Sequence, residues 1–251
     1  MLTKLFEYFK THGLFKTSKK ILFYPFEKLI YKIHLHKINK LSSNNLRFKY
    51  IYEKNVWSSN ESLSGLGSTL EYTEKLRESL PSLFKKYEIN SILDAPCGDF
   101  NWMQKVLENC DINYLGGDIV ENLIHKLNFQ YSNDKIKFID IDICNDALPD
   151  VDLIFVRDCL FHLSNQDIKK FINNLQRSNI KYLCTTSHKN NNSFINTDIV
   201  SGSFRKIDLF SSPFFFNKDY IAEIEDYIKP YQEKSIFLWE MDNFLTDDFL
   251  L

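Results

Sequence analysis

The chain has 251 residues, of which 44% are hydrophobic and 25% charged, a balance that fits one soluble α/β domain with a full core and some additional structure. Its net charge of −2 excludes a general affinity for nucleic acid. The charge is unevenly spread, however: residues 1–40 hold nine lysines against Glu7 and Glu27, a net of +7, so the remainder of the chain stands at −9.

Residues 1–40 place apolar side chains at helical spacing, Leu2, Leu5, Phe6 and Phe9, then Ile21, Leu22, Phe26, Leu29, Ile30 and Ile33. His12-Gly13 separates two helices, and Pro25 kinks the second. Such a basic amphipathic segment suits a membrane surface, a protein partner or docking on its own domain, and the sequence leaves all three open. The run LSSNN (41–45) reads as a linker, which divides the chain into a helical extension, 1–45, and a main domain, 46–251. Residues 57–68 are a Ser/Gly-rich loop, followed by a helix whose face carries Leu70, Tyr72, Leu76, Leu80, Leu83 and Phe84. From residue 90, strands at SILDA (91–95), 113–119, 136–143, 151–158 and 180–187 alternate with helices at 100–109, 121–131 and 165–177. Three apolar runs near the end, FRKIDLF (204–210), SPFFF (212–216) and KSIFLWEMDNF (234–244), are strand-like. The fold class is therefore α/β: a doubly wound, seven-stranded, mostly parallel sheet with helices on both faces, an antiparallel C-terminal edge and the N-terminal helical extension.

Five cysteines (97, 110, 144, 159, 184) lack a CxxC pair or zinc-like spacing, which predicts reduced thiols in the cytoplasm. No run of eighteen apolar residues predicts a spanning helix, and the lysine-broken start does not read as a secretory leader. The expected location is cytoplasmic, at most at the inner face of the membrane.

In a doubly wound sheet, ligands gather beyond the carboxyl ends of the strands. The first strand ends in Asp94-Ala95-Pro96-Cys97-Gly98-Asp99, and the second in Gly117-Asp118, twenty residues beyond Gly98. An acid at that distance suits ribose hydroxyls, as in nicotinamide dinucleotide or S-adenosylmethionine sites. A dinucleotide asks for three glycines so that its pyrophosphate can approach, and this turn has one. A cofactor without phosphate has no such need, and its amino-acid end offers an ammonium to an acid such as Asp94. S-adenosylmethionine fits better; a dehydrogenase is the weaker reading.

The runs LDAPCGDFNWM, YLGGDIVENLI and FIDIDICNDALPDVDLIFVRDCLFHLS resemble the Rossmann-like, class I S-adenosylmethionine-dependent methyltransferases. The likeness extends over residues 50–244 and is nearest a bacterial subgroup with DAPCGDFNWM and RDCLxHL in these contexts. Pro96 and Phe100 stand where the wider superfamily has glycines. The resemblance implies that Asp94, Ala95, Pro96 and Gly98 hold the methionine end, Asp118 the ribose, and Ile119, Asp142 and Ile143 the adenine. It also places Arg157 and Asp158 between cofactor and acceptor. Taken singly, Asp118 and Asp142 also read as helix caps or turn residues.

His162 follows Asp158 at i+4, so that on a helix the carboxylate orients the imidazole to take a hydroxyl proton. His188, at the tip of the fifth strand, is the other candidate base; His12, His34, His36 and His125 read as structural or solvent-facing. Cys97 and Cys159 read as packing residues. Asp140, Asp142, Asp146 and Asp158 do not require a metal, and none is assigned. The position after the fourth strand reads RDCLFH, without the Asn/Asp-Pro-Pro-Tyr/Phe segment of base-amine methyltransferases, and the main domain is acidic, which disfavours nucleic acid. The Asn-, Lys- and Ile-rich composition resembles proteins of AT-rich bacteria, in which such enzymes decorate surface glycans. The expected activity is O-methylation of a sugar or nucleotide-sugar hydroxyl for a capsule. Ser64 and Gly65 would lie on the substrate side, and Arg157, Lys189 and Arg205 would grip acceptor phosphates. Another small acceptor (a phosphorylated group, a carboxylate or a lipid-like alcohol) and a non-catalytic cofactor-binding module stay open, as does a homo-oligomer.

Overall fold

The computed structural model describes residues 25–26, 28–57, 59–190 and 193–246; the expected first helix and its break at Gly13 lie outside them. Short uninterrupted apolar runs form the central strands, because a strand covered on both faces has no solvent side to vary. Thus β1 (Ser91–Asp94) and β4 (Leu153–Val156) are buried almost throughout. They are joined by β2 (Asn113–Asp118), β3 (Ile136–Asp140), β5 (Tyr182–His188), β6 (Ala222–Glu225) and β7 (Lys234–Glu240) in the order β3-β2-β1-β4-β5-β7-β6. Strands β1 to β5 run parallel; β7 is antiparallel to both β5 and β6. The chain reverses its direction of winding between β1 and β4, which opens the crevice where such folds bind ligands.

Strand alternation sends side chains to two cores. On one face Ile92, Leu153, Phe155, Ile236 and Leu238 meet α3 (Glu74–Lys86), α4 (Met103–Leu107) and α5 (Glu121–Tyr131). On the other, Leu93, Ile154, Val156, Leu183, Phe237 and Trp239 meet α6 (Asn165–Leu175) through Ile168, Phe171, Ile172 and Leu175.

The expected fold class holds, with local corrections. The helix expected at 100–109 begins only at Met103, because Gly98 and Phe100 have φ of 56° and 60° and the backbone turns before it can wind. The runs 204–210 and 212–216 are not strands. Their apolar residues Ile207, Leu209, Phe214 and Phe216 instead cover the α6 face of the sheet beside Trp239. The edge strand is the unremarkable AEIE of β6, which pairs with β7 because that ladder position is free. LSSNN is no linker either: Ser43 caps α2 (Asn44–Glu53), its hydroxyl accepting from the Leu46 amide. Before it, α1 (28–40) packs through Ile38 on Ile51 and Val56, across the expected boundary at 45/46.

Candidate active site

Beyond the carboxyl ends of β1, β2 and β4 lies a cleft of about 1110 Å³, open mouth included. Asp94, Ala95, Pro96 and Gly98 line it from β1, Asp118 and Ile119 from β2, Asp142 and Ile143 after β3, and Arg157, Asp158 and His162 after β4. Asn44, Phe48 and Tyr52 of α2, Trp57 and Ser64 of the Ser/Gly loop, and Trp102 complete the wall.

Asp94 is buried, with the Tyr114 hydroxyl donating to it at 2.8 Å. Burial pushes its carboxyl up to about 7, and among the described residues it forms no ion pair. Arg157 pulls the value down from a distance but makes no ion pair with it, and a carboxyl so buried and unpaired is matched to a cationic ligand group. Asp118 is likewise buried, which pushes it up to about 6 although the Gly98 and Val120 amides donate to it at 3.2 and 3.0 Å. Each of its oxygens keeps a lone pair for a hydroxyl. Asp142 is spent locally, accepting from the Cys144 amide and the Asn145 side chain, so Ile143 and Ile119 offer the apolar surface beside it.

The Ser/Gly loop is short of side chains because it presses on the β1 turn. The Asp99 carboxylate accepts from the Ser62 hydroxyl and Leu63 amide at 2.9 and 2.7 Å, and the Ser64 hydroxyl accepts from the Asp99 amide at 3.0 Å. A Cβ on Gly98 would fall 2.1 Å from the Ser64 hydroxyl, so residue 98 is held to glycine by space as well as by φ.

Four charges after β4 neutralise one another. Arg157 donates twice to Asp226 at 2.8 Å, once more to the Gly67 carbonyl at 2.7 Å, and lies over the Trp102 ring. Lys234 donates to both oxygens of Asp158, at 2.6 and 2.8 Å, and to Asp226 at 2.6 Å. Burial works to raise the Asp158 pKa, but Arg157 and Lys234 overcome it and hold the carboxyl at about 2.

The expected Asp158–His162 pair does not form. Asp158 has φ of 52°, and residues 160–162 make a 3-10 turn, on which positions four apart do not align. The imidazole is fixed otherwise: its Nδ1 lies 2.7 Å from the Ser203 carbonyl and its ring stacks 5.0 Å from Trp57. A carbonyl only accepts, so Nδ1 carries the proton and Nε2 keeps its lone pair. Burial lowers the pKa of this histidine, favouring that neutral form.

His188 lies outside the cleft wall, its Nδ1 accepting from the Ile207 amide, and burial pushes it down to about 4. Arg205 is also outside, donating to Leu163, Asn165 and Thr197, and Lys189 pairs with Glu223. Gly65 has φ of 94° and backs onto Trp57 rather than the cleft. The phosphate-gripping role expected of Arg157, Lys189 and Arg205 thus meets side chains already engaged. Cys97, Cys144 and Cys159 line the cleft, but burial pushes each thiol up, away from reactive thiolate.

Sequence reasoning missed Lys234, Asp226, Trp57 and the whole of α2. Only Phe48 and Tyr52, four apart in a helix, carried a local sign of a shared face.

Residues 92–179, about a third of the chain, match the family described as a methyltransferase domain. No curated protein matches the sequence. Among solved structures, the chain is similar to an S-adenosylmethionine-dependent methyltransferase of Leishmania major (TM-score 0.57, 14% identity, 84% of this chain and 90% of that one). It is also similar to the Burkholderia thailandensis 1,6-didemethyltoxoflavin N1-methyltransferase solved with its substrate and S-adenosylhomocysteine (0.54, 12%, 80% and 91%). A third likeness is to PigF with S-adenosylhomocysteine (0.50, 12%, 68% of this chain), of whose length the chain spans 56%. At these identities the likenesses show the fold.

Proposed function

We propose that the chain is an S-adenosylmethionine-dependent methyltransferase that methylates a hydroxyl group, with His162 as the base, and that the acceptor is an uncharged sugar; the matched methyltransferase domain and the shared fold support the reaction class. The observation that carries this reading is the imidazole facing the cleft with Nδ1–H committed to the Ser203 carbonyl. That arrangement leaves one basic nitrogen and one orientation.

The cofactor, when bound, supplies a methyl group on a sulfonium that is open to in-line displacement. Asp94 would take its ammonium, Asp118 its ribose hydroxyls, and Ile119 and Ile143 would lie along its adenine. His162 Nε2 would accept the acceptor's hydroxyl proton as the carbon–oxygen bond forms and the carbon–sulfur bond breaks. Trp57, Tyr52 and Phe48 would present aromatic faces to the acceptor, while Arg157 and Lys234, both spent on carboxylates, would leave no cation for a phosphate. These features support a sugar hydroxyl over a phosphorylated acceptor. A role in capsule assembly rests on composition and on the motif resemblance.

The test is methyl transfer from labelled cofactor to a panel of free sugars, nucleotide-sugars, carboxylates and amines, read by mass spectrometry. Transfer to sugar hydroxyls that His162→Ala abolishes supports the reading. Transfer only to amines or carboxylates, or cofactor binding with no transfer at all, overturns it.

A further inference from the structure

The described residues of α1 present two apolar faces. One carries Ile38, fully buried on α2, and the half-buried Tyr31, with His34 bonded to the Tyr50 hydroxyl at 2.8 Å. The other carries Phe26, Leu29, Ile30 and Ile33, spaced i, i+3, i+4, i+7 and exposed by 64, 56, 54 and 49%. A helix apolar on both sides is ordinarily covered on both. Along the same stripe, one heptad beyond Ile30 and Ile33, stand Lys37 and Lys40, and Lys28 and Lys32 flank it; all four are exposed.

We propose that this face of α1 docks on an anionic lipid surface. The charge pattern selects that occupant. Residues 26–40 hold four lysines against the single acid Glu27, so pairing with a second copy would set mostly lysines against lysines, whereas an anionic bilayer complements all four. The sequence before residue 25 adds Lys4, Lys10, Lys16, Lys19 and Lys20 in the same sense. The main domain, at −9, is repelled by such a surface, so attachment through α1 also sets orientation. Among the described residues no helix is long and apolar enough to cross a membrane, and the contact is one of lying on the surface. Because α2 packs on α1 and lines the cleft with Asn44, Phe48 and Tyr52, the docked face adjoins one cleft wall.

Co-sedimentation of the full chain with vesicles of phosphatidylcholine mixed with phosphatidylglycerol tests this, with phosphatidylcholine alone as comparison. The protein pellets with the mixed vesicles and is released at about 1 M salt, where the screening length shrinks to about 3 Å. Lys28→Ala with Lys32→Ala weakens binding about 25-fold, since each lysine near such a surface is worth about fivefold. Ile30→Asp with Ile33→Asp abolishes it. Both variants keep cofactor binding by calorimetry, which separates lost docking from lost folding and from failure of the catalytic reading. Three results overturn the proposal: no pelleting with either vesicle, equal pelleting with both that survives salt, or a dimer in solution that Ile30→Asp converts to monomer.

Discussion

Two groups of carboxyls, one lining the cleft and the other reaching it through Asp158, have opposite fates. Asp94 and Asp118, at the ends of β1 and β2, form no ion pair among the described residues, and burial outweighs the pull of Arg157 on Asp94 and lifts the two to about 7 and 6. Asp158 and Asp226, a short distance away past β4, share Arg157 and Lys234, and Asp158 is held at about 2. Burial is common to both, so the difference lies in whether the fold supplies the counter-charge. Past β4 the protein satisfies itself and the charges act as structure. On the β1–β2 side it leaves carboxyls that, on the proposed function, a sulfonium cofactor with an ammonium group would satisfy. The two sides also respond to acid with opposite sign. Asp158, lowered on folding, stabilises above about pH 4 and loses that contribution as pH falls toward 2; Asp94, raised on folding, costs stability as pH rises from about 4 to 7.

The comparison breaks most visibly at Asp226. Asp226→Ala leaves Arg157 and Lys234 buried with one carboxylate between them, and is expected to destabilise the fold by about 3–5 kcal/mol in urea unfolding. His162 lines the same cleft. His162→Ala is expected to lower kcat by about 10²–10⁴-fold while cofactor affinity, measured by calorimetry, stays near wild type. Asp94→Asn sharpens the contrast by moving stability and binding in opposite directions. Cofactor affinity falls about 10–100-fold, the worth of a charge-assisted bond, while the melting temperature of the free protein at pH 8 rises by about 2–4 °C. Retained affinity would place the ammonium elsewhere, and an unchanged melting temperature would show that Asp94 carries no burial cost. The smallest effect is on pH. Asp94 must ionise to hold a cation, so cofactor affinity in the wild type rises up to about tenfold between pH 6 and 8 and then levels. Asp94→Asn flattens that profile, leaving only the weaker rise from Asp118 near 6.

The acids at strand ends were legible because two local signals coincide: an apolar run that ends, and a polar residue at its end. Asp94 and Asp118 are such positions and Asp142 stands two residues past the end of β3, and all three line the cleft. The Asp158–His162 pairing failed because it assumed a helix where the chain makes a 3-10 turn from a left-handed residue. The runs at 204–216 misled because apolar residues that cover a sheet and apolar residues within one have the same composition.

The sequence by itself determined the five parallel strands, β7, their alternation with helices, and the acids that follow them, since period and punctuation act over a few residues. Only the tertiary structure decided which charges find partners. Arg157 meets Asp226 across 69 positions, Lys234 meets Asp158 across 76, and the Ser203 carbonyl reaches His162 across 41. Such meetings depend on strand order and loop path, and they leave no periodic trace in the chain that makes them.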